Sequence, residues 1–164
     1  MRFSPGLLLL LPLLSPLAHA ELIDDVFDRG ELRIALEANT PPFNFKEGDK
    51  LTGFEVDLGE QLAKEMDVRP SFITTDDTDL LQGVETGKYD VAINHIAMTA
   101  ELQDRFDLSE AYNEKPELVI PFQKGNPAFK ASLDKALQRV KADGRLKALA
   151  QKWLETEPPV PKAQ

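Results

Sequence analysis

The chain has 164 residues, with 12 Pro, 9 Gly, no Cys and a formal net charge of −9. That length suits one compact domain, and the acidic balance argues against nucleic acid as a partner, because phosphate binding needs a basic footprint. The absence of Cys excludes thiol catalysis, disulfides and Cys-ligated zinc or iron–sulfur centres, and two His leave little for a multi-His metal site.

Arg2 precedes the apolar run Leu7 to Leu11, and the segment closes on Ala18-His19-Ala20. A positive start, a short apolar stretch and a small-x-small end describe a secretory signal peptide over residues 1–20. Its removal near Ala20 predicts a periplasmic or secreted protein. Pro12 and Pro16 and the shortness of the run argue against stable membrane insertion. The folded domain is then expected over 21–157, with a flexible Pro-rich tail at 158–164.

Glu21 to Arg29 reads as a short amphipathic helix stopped by Gly30, and Leu32 to Leu36 as a buried strand. Asn39 to Pro42 reads as loop because of its two prolines. Phe43 and Phe45 alternate around Asn44 before a turn at Gly48-Asp49-Lys50, as in a small hairpin. Val56 to Met66 carries a clear helical stripe, with Leu58, Leu62 and Met66 four apart. Val68 to Thr74 reads as a second strand, and the acidic run Asp76 to Asp79 offers caps for a helix through Val84. Tyr89 to Asn94 reads as a third strand. Strand–helix alternation of this kind favours parallel strands with right-handed crossovers. Thr99 to Phe106 predicts a helical turn, and Leu118 to Phe122 one strand from another direction. Asn126-Pro127 opens a helix with Leu133, Leu137 and Val140 on one face. Leu146, Leu149, Ala150 and Trp153 line a last one. The fold class expected is α/β: three layers, a mostly parallel sheet with helices on both faces.

Several phrases then fall in a telling order: Leu32-Arg33-Ile34-Ala35, Pro41-Pro42-Phe43-Asn44-Phe45, Gly53-Phe54-Glu55-Val56-Asp57-Leu58, Gly87-Lys88-Tyr89-Asp90-Val91, Met98-Thr99-Ala100-Glu101, Asp107 to Tyr112, Lys124 to Pro127 and Lys141 to Gly144. The order resembles the periplasmic solute-binding proteins of the polar amino-acid uptake type, bacterial extracellular family 3. That resemblance implies lobe one of a type II periplasmic binding protein. In the family a second lobe follows the phrase ending at Tyr112; here one strand runs straight into the returning segment at Lys124. The expected form is therefore a single lobe with an open face.

The resemblance also implies a ligand-facing set: Glu37, Thr40, Phe43, Asp77, His95, Ala97, Thr99 and Arg105. Glu37 matches an acidic position facing the ligand's amino group or side chain, at the edge of the first strand. Thr40 stands where an aromatic platform is common, while Phe43 is retained. Asp77 falls at another aromatic contact, and His95 replaces a small residue. Ala97 stands where Ser or Thr commonly hydrogen-bonds the ligand. Leu102 replaces the Arg that clamps the ligand carboxylate; Arg105, nearly one helical turn on, is the candidate substitute or else a surface ion pair.

Glu37, Asp77 and His95 around one rim would suit a cationic solute or, weakly, a metal; a solvated acidic edge with His95 hydrogen-bonded locally is the plainer alternative. No nucleophile has a convincing setting, so no enzyme and no cofactor is expected. The expected function is extracytoplasmic binding of a small polar or cationic solute, with weak or altered affinity and a transporter, a sensor or a second copy as partner. The alternative is a protein-interaction or structural module that has lost solute binding.

Overall fold

The computed structural model describes residues 21–155; the expected signal peptide and the expected tail lie outside the described residues. The chain begins with α1 (Leu22–Arg29), which ends at Gly30 with φ +64°, and enters β1 (Glu31–Leu36). A small antiparallel sheet follows, made of β2 (Asn39–Thr40), β3 (Asn44–Glu47) and β4 (Lys50–Thr52). Then come α2 (Phe54–Glu65), β5 (Arg69–Thr74), α3 (Asp77–Glu85), β6 (Val91–Ala92) and β7 (Ile96–Ala97). The remainder is α4 (Ala100–Arg105), β8 (Phe106–Leu108), β9 (Asn113–Glu114), β10 (Glu117–Val119), β11 (Pro121–Gln123), α5 (Pro127–Ala142) and α6 (Arg145–Trp153).

The central sheet has five strands in the order β5-β1-β6-β11-β8. β1 pairs in parallel with β5 and β6, while β11 runs antiparallel to β6 and to β8. Four strands thus point one way and β11 alone runs against them. This is the expected α/β architecture, a mixed sheet with most of its strands pointing the same way.

Alternation along the strands sorts the core into two. Leu32 and Ile34 of β1 and Val91 beside Ile93 join Leu58 and Leu62 of α2 and Phe129, Leu133 and Leu137 of α5. Ala35 and Ala92, on the opposite face, meet Leu80 and Val84 of α3 and Leu102 of α4. Small residues on that face let α3 approach closely. Tyr89 packs so tightly on Gly83 that a Cβ there would collide with its ring. α6 rides on the first face, with the Trp153 indole donating to Asp57 at 2.8 Å and standing edge-on to Phe45.

Two expectations are corrected. Asn39–Thr40 is a short strand rather than loop: it pairs with Phe45 and Asn44 of β3, and only the two prolines stay out of the ladder. Leu118 to Phe122 is not one strand. The Ser109 hydroxyl takes the backbone N–H of Ile120 at 2.9 Å, and the chain breaks there into β10 and β11. β10 belongs to a separate sheet, β7-β10-β9, and β11 to the central one.

Candidate functional site

The C-terminal ends of β1 and β6 lie side by side, the usual ligand-facing edge of an open parallel sheet. Glu37 follows β1, and Asn94 and His95 follow β6. Asn94 grips Glu37 twice: its Oδ1 accepts from the Glu37 backbone N–H and its Nδ2 donates to the Glu37 carboxylate, both at 3.0 Å. The same Oδ1 accepts from Asn44 Nδ2, also at 3.0 Å, and Asn44 reaches Glu55 at 3.3 Å.

Glu55 is the hub. It is fully buried, yet it carries a carboxylate. Oε1 faces His95 Nδ1 at 2.9 Å; Oε2 accepts from the His95 backbone N–H and from the Tyr112 hydroxyl, the latter at 2.8 Å. Glu55 sits in the first turn of α2, where the helix dipole favours an anion. That helix start is pinned from outside: the N–H groups of Phe54 and Glu55 donate to the carbonyls of Pro42 and Phe43. Gly53, at φ +129°, permits the approach, since a Cβ there would collide with the Phe43 carbonyl.

His95 itself is left-handed, with φ +43°, a conformation uncommon outside glycine. One carboxylate holding both the backbone and the ring of that residue locks the turn. The Glu55 hydrogen bond raises the imidazole's pKa from its ordinary value, against partial burial, with Glu55 and Glu37 charge adding to the rise. Burial and the Glu55 charge drive the Tyr112 hydroxyl's pKa well above the phenol range. The imidazole ring lies 5.2 Å from the Phe43 ring, centroid to centroid.

The eight positions singled out from sequence divide. Glu37, Phe43 and His95 are brought together. Thr40 is half-buried nearby in chain, its carbonyl accepting from the Phe43 N–H. Asp77 is exposed on the first turn of α3, joined to the network by no hydrogen bond among the described residues. Ala97 is exposed on β7, paired with Leu118. Thr99 caps α4 through Leu102. Arg105 donates to Glu85 at 2.8 Å and borders a different cavity, with Glu21 and Asp25. Leu102, which the resemblance sets at the carboxylate clamp, is buried in the smaller core. No group of three or more His, Asp or Glu able to hold a metal occurs among the described residues.

Sequence reasoning passed over Asn44, Glu55, Asn94 and Tyr112 as site residues. A signal for Glu55 was present: it stands three, four and seven residues before Leu58, Gly59 and Leu62, a charge on the buried stripe of its own helix.

The family model for bacterial extracellular solute-binding proteins, family 3, matches residues 32–156. The chain belongs to that family. Among curated relatives it is similar to the L-cystine-binding protein TcyJ of Escherichia coli (strain K12), 38% identical over 96 residues, covering 58% of this chain and 36% of TcyJ. It is also similar to a probable histidine-binding protein of Campylobacter jejuni, 29% identical over 63% of this chain and 40% of that protein. The chain thus spans well under half the length of these relatives. Among solved structures it resembles the arginine-bound form of domain 1 from TmArgBP, with a TM-score of 0.68 and 25% identity over 71% of this chain and 98% of that one. The relatives are amino-acid-binding proteins of a family that works with ABC transporters. No helix among the described residues is long and apolar enough to cross a membrane.

Proposed function

We propose that this chain is a non-enzymatic, extracytoplasmic single-lobe binding protein that holds a small polar or cationic solute at the Glu37 edge for a transporter or sensor. The observation that carries this reading is the Asn94 clasp on Glu37, which fixes the carboxylate at the sheet edge while leaving it half-exposed. A carboxylate so oriented can accept from an ammonium or guanidinium group. The arginine-bound domain 1 from TmArgBP supports the idea that one lobe can retain a ligand. The direct run from Tyr112 through β9, β10 and β11 into α5 supports the single-lobe form. An open face buries less of a ligand than a closed pair of lobes, so affinity should be modest.

A second reading, a protein-interaction module without solute binding, is favoured by Leu102, which fills the clamp position with a core side chain. Isothermal titration of the purified chain with arginine, histidine, cystine and glutamine separates the two. Heat with at least one of them, weakened about tenfold in Glu37→Gln, supports solute binding. No heat with any, together with dimerisation in light scattering, replaces it by the second reading.

A further inference from the structure

A cavity of about 520 Å³ opens between the corner formed by Phe43 and Phe54 and the hairpin formed by β9 and β10. Its walls are mostly apolar, formed by Pro42, Phe43, Phe54, Pro116, Leu118 and Leu154, with the neutral amide of Asn113 among them. Among the described residues, the two titratable side chains lining it, His95 and Lys115, are both basic. This is a local reversal of sign in an acidic chain.

We infer that this cavity, which Phe43 and His95 line and Glu37 does not, is a binding site for a small carboxylate with an apolar or aromatic body. Its size falls within the range of small-molecule sites, about 300–1,000 Å³. The polar groups are few and of one sign, while the walls offer an apolar body somewhere to go. A cationic body would meet two basic groups, with no acid among the described residues that line the cavity.

Glu55 and the Tyr112 hydroxyl stand behind His95 and engage its Nδ1 and backbone N–H, not the cavity. Because Nδ1 is committed to Glu55, Nε2 is the nitrogen left to meet a ligand, and the Glu55 anion favours a protonated ring that donates from it. Glu37 is turned to Asn94. Glu114 and Glu117 oppose each other across the hairpin and are exposed outside the lining. Lys115 has no ion-pair partner among the described residues, and its cation is available at the rim.

A contrast sharpens the choice. Another cavity is lined by Glu21, Asp25 and Glu85 together with Arg105 and Lys124, charges of both signs of which Arg105 and Glu85 pair at 2.8 Å. It offers no comparable preference.

The test titrates the whole purified chain with four probes: 3-phenylpropanoate, its neutral amide, 2-phenylethylamine and acetate. The inference expects uptake of 3-phenylpropanoate, at least about tenfold weaker uptake of the amide, and no uptake of the amine or of acetate. Lys115→Glu, an exposed change that leaves the core alone, should abolish carboxylate uptake, and Leu154→Asp should weaken it. Affinity should fall as pH rises through the His95 titration. Equal binding of acid and amide, or binding unmoved by Lys115→Glu, overturns the inference; so does no uptake of 3-phenylpropanoate. Glu37→Gln keeps this result separate from the preceding reading: it should weaken arginine and leave 3-phenylpropanoate within about twofold. Joint loss of both ligands in that variant would mean a single site and would overturn the assignment.

Discussion

Among the described residues two carboxylates are fully buried, Asp90 and Glu55, and they serve opposite ends of the same strands. Asp90 immediately precedes β6. It accepts from Arg29 at 2.6 Å, from the Arg33 guanidinium at 2.9 Å and from the Arg33 backbone N–H at 2.7 Å. Its side-chain partners are guanidinium groups whose charge is permanent at any working pH, and the Asp90 hydrogen bond raises the pKa of Arg33 further. Glu55 serves the other end, beneath the residues that follow β6. Its partners are an imidazole, a phenol and an amide, of which only the first changes charge near neutrality. One end of the sheet is therefore bolted with fixed charges, and the other is held by a group that can be tuned. Stability is concentrated at the first, adjustable chemistry at the second.

Substitutions can break that contrast. Asp90→Ala should have the largest effect, a loss of about 3–5 kcal/mol, because it leaves two guanidinium groups and a backbone donor without their acceptor. Urea denaturation measures it, and an unchanged midpoint would remove Asp90 from its role as anchor. Glu55→Gln keeps the shape but loses an acceptor among four donors; about 2 kcal/mol is expected in the same assay. Its circular dichroism should stay native while His95 loses its raised pKa in NMR titration. Arg29→Ala should cost less, about 1 kcal/mol, since that side chain is about one-third exposed and Arg33 remains.

The smallest effect is the most diagnostic. Folding raises the His95 pKa above its ordinary 6.5, so the stability it contributes is whole below 6.5 and fades as pH rises through the folded value. Melting temperature should therefore decline over that window in the wild type, and His95→Gln should flatten the decline. A slope that persists in His95→Gln would assign the pH response elsewhere.

Much of the framework was legible in the chain. The Leu58, Leu62 and Met66 stripe located α2, and the short apolar runs at Leu32 and Val68 located paired strands. The site was only half legible. Glu37, Phe43 and His95 were expected because the resemblance named them, and the fold sets His95 against Phe43 and within the charge of Glu37. Glu55 and Tyr112 were not, because 57 residues separate them and only the folded chain brings the phenol onto the carboxylate. β7 and β9 escaped as well: two-residue strands have too few positions to display a period. Arg105 illustrates the opposite hazard. Its distance along the chain suited a carboxylate clamp, but the end of α4 directs it to Glu85.

The exposed hairpin of β9 and β10 has a meaning for the history and engineering of such domains. Asn113 lies opposite Leu118, and Glu114 opposite Glu117, so the chain departs from and rejoins the body at neighbouring points. Extra sequence spliced between Glu114 and Lys115 would start and finish together, outside both cores. Doubling the length of a flexible insert at such a place adds only about 0.6 kcal/mol of closure entropy. The hairpin is thus a natural splice point, where an entire further domain could be grafted or excised while the five-stranded body keeps its packing.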